Sequence, residues 1–389
     1  MPEAAYAPAT SQPAGPGTPA DDPRWAALAT QIADGTRVGN GSKVGIFLTD
    51  PEGMPAVEAF VDEVYRRGGI PQVVLSDERF DRSAVAHAST EMLAVPAPLE
   101  AWSMEWADVH VSFRAMAVPV AGPVDEERLA LQRKGKGVVS TLRWRETRWC
   151  LVRVPTRAWA DLIGCDYDTL LTQFFDGCLG DWAARRAAWE RLAAEFNAAD
   201  TVRILSPDTD LTLGVAGRTW VAFAGEANLP DGELATAPVD DAVNGHITFP
   251  GRFWFAGAPI DDLRLEFLNG LVTGISAATG EGLARKLLTT DAGAGRVGEL
   301  GIGTNAAFQL YTGDLLLDEK ILGTVHIALG RAYPECGGVN QSSLHWDIVK
   351  DLRDPGGFLY VGDRAVIDDG VADPALAGGT APAATGAAS

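Results

Sequence analysis

Apolar and polar blocks alternate near the start of the chain in a way that predicts strands and helices in turn. An apolar run from Lys43 to Asp50 is short enough to be a buried strand, and the apolar stripe from Val57 to Tyr65 has helical spacing. Residues 71–76 predict the next strand. A strand, a helix and a strand with short connections form a parallel βαβ unit. Further strands are predicted at 108–113 and 137–141.

A long helical pattern follows between Asp168 and Asp200, with aromatic residues every seven positions. Arg185 and Arg186 interrupt its apolar stripe, so we expect them at the margin, with their stems packed and their charged heads in water. These elements predict an open α/β domain over residues 23–200. The fold class is therefore α/β.

The pattern changes in the second half of the chain, where it predicts short strands separated by turns. The Asn269-Gly270 pair tolerates the positive φ angles of a tight turn, which predicts a hairpin between its flanking strands. We expect a mixed α+β domain over residues 201–370. The termini, residues 1–22 and 371–389, have too few large apolar side chains to order and are predicted to be a disordered leader and tail.

Composition excludes several functions. Asp and Glu outnumber Lys and Arg by 52 to 32, and the net charge of −20 argues against nucleic acid and anionic membranes as partners. No apolar run reaches the roughly 18 residues of a membrane span. The segment after the first strand, residues 49–53, lacks a phosphate-binding glycine pattern, which argues against a nucleotide cofactor. The leader lacks the features of a secretory signal, and the four scattered cysteines fit a reducing compartment, so we expect a cytoplasmic protein.

Candidate chemistry concentrates between Gly298 and Lys350. Alternation along SSLHWDIV places His345 and Asp347 on the same face of a strand, about 7 Å apart at the Cα atoms. His326 lies in an apolar strand, where an imidazole needs a partner. Each histidine is either bonded to the backbone or a metal ligand, and spacing alone slightly favours the backbone bond.

Two glutamates complete the candidate set. Glu233 and Glu299 lie in tight, glycine-containing backbone among apolar neighbours, where a carboxylate requires a positive partner, although glutamates at turn edges are also common by chance. With His326, His345 and Asp347 they form an oxygen-rich set that suits one or two divalent ions. The set does not suit a tetrathiolate zinc site.

Four long segments resemble the signature blocks of the aminopeptidase T family of metalloaminopeptidases. They are NLPDGELATAP (228–238), GELGIGTN (298–305), LLDEKILGTVHIALGRAYPECGG (316–338) and NQSSLHWDIVKDLR (340–353). The resemblance implies an α/β N-terminal domain, a metal-binding C-terminal domain and a homodimer. It also implies metal ligation by Glu233, Glu299, His326, His345 and Asp347, with Tyr333 at or beside the metal centre.

The reaction that this resemblance implies is hydrolysis of the N-terminal bond of a peptide or aminoacyl substrate. Two divalent ions, chosen among cobalt, zinc, magnesium and manganese, would activate water and polarise the carbonyl. Glu299 is expected to bridge them, and either Glu233 or Glu299 to move the proton. Tyr333 is expected to donate to the oxyanion. The sequence departs from the family at residues 234–236, which bears on substrate choice.

Two other functions compete with this hypothesis. The fold also resembles that of 2,5-dihydroxypyridine dioxygenases, which hold one iron with two histidines and one aspartate. Glu299 stands where such an enzyme is expected to have a histidine, which favours hydrolysis. A protein that keeps the metal only for stability is the third hypothesis, and the intact ligand set argues against it because buried charges are costly to retain.

Overall fold

The computed structural model describes residues 22–115, 125–255 and 258–379. The N-terminal half contains nine helices and four strands among those residues. The helices are α1 (Arg24–Gly35), α2 (Met54–Arg66), α3 (Glu78–His87), α4 (Thr90–Leu93), α5 (Pro98–Trp106), α6 (Glu126–Glu146), α7 (Arg157–Leu162), α8 (Tyr167–Cys178) and α9 (Trp182–Phe196). The strands are β1 (Lys43–Leu48), β2 (Ile70–Leu75), β3 (Val109–Ala115) and β4 (Arg148–Val154).

The C-terminal half is mostly β-structure. Its first strands are β5 (Thr201–Ser206), β6 (Thr209–Gly214), β7 (Val221–Phe223), β8 (Asn228–Leu229), β9 (Glu233–Thr236), β10 (Val243–Phe255), β11 (Ala258–Leu268) and β12 (Leu271–Ser276). Then follow α10 (Glu281–Leu288), β13 (Val297–Gly303), α11 (Leu315–Asp318), β14 (Thr324–Gly330), β15 (His345–Asp351), β16 (Phe358–Val361), β17 (Arg364–Asp368) and β18 (Val371–Ala372). Single 3₁₀ turns lie at Pro51–Gly53, Pro334–Cys336 and Pro374–Ala377.

These strands form three sheets. The N-terminal sheet is parallel, in the order β2-β1-β3-β4-β8, as the βαβ pattern predicts. An antiparallel sheet of eight strands runs β12-β11-β10-β6-β5-β16-β17-β18, and a smaller antiparallel sheet runs β15-β14-β13-β9-β7. One continuous apolar core joins all three, because it includes Val44, Val202 and Leu300 from the three sheets. The α/β class with a mixed second part is therefore confirmed.

One strand of the parallel sheet comes from the second half of the chain. The short strand β8 pairs with β4, although residue 200 was the predicted boundary between the two domains. Only Pro230, Asp231 and Gly232 separate β8 from β9, which belongs to the smaller antiparallel sheet. The two halves are thus joined by this crossing as well as by the chain at residue 200.

The predicted hairpin is confirmed. Strands β11 and β12 pair antiparallel, and Asn269 and Gly270 between them have φ angles of 50° and 77°. A side chain at Gly270 would also meet the carbonyl oxygen of Asp240 at 1.7 Å from its Cβ. This turn therefore needs glycine for its space as well as for its backbone angle.

The strand predicted at 137–141 is wrong, because those residues lie within α6. Asp125 caps this helix by accepting a hydrogen bond from the backbone N–H of Arg128. Val139 is buried against Phe47 and Met104. Packing on the sheet thus overrides the strand preference of the β-branched pair at 138–139.

Two further expectations differ from the structure. Arg185 is 6% exposed, and its guanidinium lies 4.7 Å from the ring of Trp182, so its charged head is not in water. The tail was predicted from residue 371, yet β18 pairs with β17 and Leu376 is fully buried. Trp189 Nε1 donates a hydrogen bond to the carbonyl of Leu376 at 2.8 Å. The predicted leader, apart from Asp22, and residues 380–389 lie outside the described residues.

In the described part of the chain, no helix is long and apolar enough to cross a membrane. The four cysteines, Cys150, Cys165, Cys178 and Cys336, are free thiols.

Candidate metal centre

The smaller antiparallel sheet brings the five predicted ligands together. Glu233 lies on β9, Glu299 on β13, His326 on β14, and His345 and Asp347 on β15. Strand β14 lies between β13 and β15 in the sheet, so ligands on three consecutive strands share one face. The alternation that predicted a common face for His345 and Asp347 holds along β15.

The distances divide the five residues into two overlapping groups. His326 Nε2 lies 3.4 Å from Glu233 Oε2 and 3.6 Å from Glu299 Oε1. His345 Nε2 lies 3.2 Å from Glu299 Oε2 and 3.3 Å from Asp347 Oδ1. The ligand atoms of each group of three residues all lie within 4.8 Å of one another. Glu299 belongs to both groups, with one oxygen facing each histidine.

The strand register leaves room for one of these imidazoles. Gly301 on β13 pairs with His326 on β14. A Cβ atom at Gly301 would lie 2.0 Å from Cε1 and 2.3 Å from Nε2 of that imidazole. The ring therefore occupies the space that a side chain at residue 301 would fill.

The hydrogen bond of His345 fixes its tautomer. Its Nδ1 lies 2.9 Å from the carbonyl oxygen of Arg331, which can only accept, so Nδ1 carries the hydrogen. In the neutral ring Nε2 then presents a lone pair toward the oxygens of Glu299 and Asp347. Lone pairs facing each other at about 3 Å require a cation between them, either a proton or a metal ion.

Burial makes this requirement stronger. Glu233, Glu299 and His326 are 4%, 2% and 1% exposed. Glu233 Oε2, Glu299 Oε2 and His326 Nδ1 are buried without a hydrogen-bond partner among the described residues. Buried polar atoms of this kind are normally satisfied, so the donor set fits a divalent metal ion.

The excess of negative charge also appears in the pKa values. Burial favours the neutral imidazole of His326, but Glu299, Glu319 and Glu233 outweigh it and raise its pKa to about 9. Burial likewise opposes the charge on His345, yet Asp347 and Glu299 hold the pKa of this imidazole well above its usual value. Both shifts show that the centre attracts positive charge.

Tyr333 lies beside His345 of this centre. Its ring centroid is 5.3 Å from that of His345. Burial, followed by the charges of Glu299 and Asp347, raises its pKa well above the ordinary value. The phenol therefore keeps its proton at neutral pH and can donate a hydrogen bond.

Comparison with known proteins gives a family for this arrangement. The profile of the family described as Thermophilic metalloprotease (M29) matches residues 23–355. The chain belongs to this family.

One relative by sequence and two solved structures illustrate the similarity. Aminopeptidase T from Thermus thermophilus is 26% identical over 388 residues, covering 84% of this chain and 93% of the relative. The solved structure of wild-type AmpT from Thermus thermophilus superimposes with a TM-score of 0.72 at 25% identity, covering 86% of this chain and 94% of that one. The predicted resemblance is confirmed, and the chain is a metal-dependent aminopeptidase. A 2,5-dihydroxypyridine dioxygenase from Pseudomonas putida shares the fold, with a TM-score of 0.54, 15% identity and coverage of 90% and 96%.

The M29 chain has a buried lysine at the centre that the sequence did not predict. Lys320 is fully buried, and its Nζ lies 2.7 Å from Glu233 Oε1 and 2.8 Å from Glu319 Oε1. Burial opposes its charge, but Glu233, Glu319 and Asp231 raise the pKa of the ammonium well above its usual value. Lys320 thus holds one oxygen of Glu233 and leaves Oε2 facing His326.

Glu319 is a second residue that sequence reasoning missed. It is 3% exposed, and its carboxylate forms a third group of candidate ligands with His326 and Asp347. Burial raises its pKa to about 8, with Lys320 opposing the shift. The sequence feature that could have indicated this buried residue is the charged triplet Asp318-Glu319-Lys320, which interrupts an otherwise apolar stretch.

Proposed function

We propose that this M29 aminopeptidase hydrolyses the N-terminal bond of peptide substrates at a centre for two divalent cations. Glu233, Glu299 and His326 would hold one cation, and Glu299, His345 and Asp347 the other. The shared position of Glu299, with one oxygen toward each histidine, is the observation that carries the proposal. A single-ion site would not need one buried carboxylate to serve two groups of donors.

When bound, two divalent cations would supply an activated water and a polarised carbonyl at neutral pH. The protein residues position and protonate the reactants. Glu299 and Glu233 are the buried carboxylates able to accept the proton from water. Lys320 pairs with Oε1 of Glu233 and so fixes the position of that carboxylate. The protonated phenol of Tyr333 can donate to the oxyanion of the tetrahedral intermediate.

Metal content and substrate blocking test this proposal together. Protein purified without chelator should contain two equivalents of cobalt, zinc, magnesium or manganese per chain, measured by mass spectrometry of the elements. Peptides with a free amine should be cleaved without oxygen, and their N-acetylated forms should resist cleavage. One iron per chain with oxygen uptake on a dihydroxylated ring would instead establish the dioxygenase alternative.

Two variants test whether Glu299 bridges the two cations. Glu299→Gln should lose metal and activity, because a neutral amide cannot neutralise two cations. Glu335→Gln is the matched control, since Glu335 is exposed in the 3₁₀ turn that follows Tyr333. Retention of two ions in E299Q would contradict the bridging role. Assembly as a homodimer and a cytoplasmic location stay predictions from the sequence.

A further inference from the structure

A cavity of about 390 Å³ opens beside His345 and Asp347 and extends toward the parallel sheet of the N-terminal half. Its size is at the low end of the range for small-molecule sites, so it suits a short peptide better than a long one. Five arginines contribute to its walls. One is Arg153 on β4, and the other four are Arg114 on β3, Arg133 and Arg143 on α6, and Arg331 between β14 and β15.

These four arginines lack acidic partners. Among the described residues, none of them lies within 4.0 Å of a carboxylate oxygen, whereas two other cations of the cavity wall are paired, Lys136 with Asp81 and Arg153 with Asp314. Arg143 is 9% exposed. The Nε atoms of Arg133 and Arg143 are buried without a hydrogen-bond partner in the described part of the chain. Such donors are costly to bury unless an anion meets them.

The arginines are also close enough to repel one another. Burial and then the charge of Arg153 lower the pKa of Arg114 to about 10. Burial and then Arg114 and Arg331 lower the pKa of Arg143 to about 9. Both guanidinium groups remain charged at neutral pH, and although the charges of Glu78 and Glu100 oppose the shift of Arg114, neither carboxylate forms an ion pair with it among the described residues.

The cavity wall has five carboxylates beside its six Arg and Lys side chains, but among the described residues none of them forms an ion pair with the four arginines. Glu100 accepts a hydrogen bond from Ser76 Oγ at 2.8 Å. The charge of Glu78 acts on Arg114 and Arg133 without an ion pair to either. Asp347 faces His345 at the metal centre. The free donors of the cavity are therefore cationic.

Helix α6 places this cluster next to the reacting groups. The ring centroid of Trp144 lies 6.3 Å from that of Tyr333. Arg331 Nη1 donates to Thr141 Oγ1 at 3.2 Å, while the Arg331 carbonyl accepts from His345. A substrate at the centre thus has the arginines within the same cavity.

We propose that this arginine cluster binds a carboxylate of the peptide substrate, so that the enzyme selects short peptides whose acidic group reaches the cavity wall. The inference rests on the aminopeptidase function proposed above. The carboxylate is the C-terminal group of a di- or tripeptide or the side chain of an acidic residue after the scissile bond. Guanidinium groups bind carboxylates through paired, charge-assisted hydrogen bonds, which gives selectivity as well as affinity.

Four substrates with the same N-terminal leucine separate these sources. Leucyl-alanine is compared with leucyl-alaninamide, and leucyl-glutamic acid α-amide with leucyl-glutaminamide, using kcat/KM of the metal-loaded enzyme. Preference of at least about tenfold for the first of either pair supports the proposal and identifies the source of the carboxylate. Equal cleavage within both pairs would overturn it while leaving the aminopeptidase function intact. Failure to cleave any of the four would overturn both.

Variants connect that preference to the arginines. Arg143→Gln, alone and with Arg114→Gln, should reduce the preference by about tenfold or more. Arg145→Gln is the matched control, because Arg145 is exposed on the same helix. A preference that persists unchanged in the folded double variant, verified by its circular dichroism, would overturn the assignment. If the double variant does not fold, the single variant and the four wild-type comparisons still decide the outcome.

Discussion

Gly301→Ala tests whether His326 must lie where the structure places it. The added methyl would lie 2.0 Å from Cε1 of the imidazole, about 1.4 Å closer than the 3.4 Å at which ordinary contact begins. Both residues are buried in neighbouring strands of the small sheet, so neither can move outward. The imidazole therefore has to shift by more than about 1 Å from its position beside Glu233 and Glu299.

Two effects of this shift can be measured. Overpacking a buried site costs about 1–3 kcal/mol of the free energy of unfolding. Misplacing a group at a reacting centre by about 1 Å lowers activity on the order of 100-fold. We expect G301A to keep its secondary structure, to bind less metal and to lose at least this much in kcat/KM.

The assay is leucyl-peptide hydrolysis with metal content measured on the same sample. Gly39→Ala is the matched control, since a Cβ at residue 39 would meet nothing within 4 Å. Activity of G301A within about twofold of the wild type would refute the reasoning. It would mean that the position of the His326 ring is not critical for the reaction.

Three further predictions concern stability. Lys320→Met leaves the buried carboxylates of Glu233 and Glu319 without their cation. Urea unfolding of the chelated protein should show that the free energy of unfolding falls by about 3–5 kcal/mol. A decrease below about 1 kcal/mol would contradict this prediction. Leu376→Ala should lower the free energy of unfolding by about 2–5 kcal/mol, because Leu376 is fully buried beside Trp189. An unchanged unfolding midpoint would instead support the disordered tail that the sequence predicts. Chelation should lower the melting temperature and added divalent ion should restore it, since binding stabilises only the folded state; a melting temperature that ignores the chelator would argue against a metal at this centre.

Local patterns predicted three of the five strands of the parallel sheet, β1, β2 and β3, and missed β4 and β8. Strand β1 and helix α2 follow directly from a short apolar run and from a stripe at helical spacing. The pattern failed at residues 137–141, where two adjacent valines favour a strand locally. The Asp125 cap and the burial of Val139 against Phe47 stabilise a helix here. The contact with Phe47 joins residues far apart in the sequence, so a short sequence window does not contain it.

The candidate centre could be predicted only in part for a similar reason. Alternation in β15 and the resemblance to a known family indicated five residues that the sheet then brought together. Glu319 and Lys320 lie in the turn between α11 and β14, where charged residues usually face water. Their burial depends on Glu233, which is more than 80 residues away in the sequence. No periodicity connects positions at such a distance.

The crossing of the chain between β8 and β9 has a consequence for recombination between members of the family. A chimera that exchanged everything before residue 201 would supply four strands of the parallel sheet from one parent and β8 from the other. Only three residues separate that mismatched strand from Glu233, so a displacement of β8 would also displace this residue of the centre. A single breakpoint after residue 229 would keep β8 with the donor sheet, but it would separate β5, β6 and β7 from their partners β16, β10 and β9 in the antiparallel sheets. The two halves of the chain therefore have to be exchanged together.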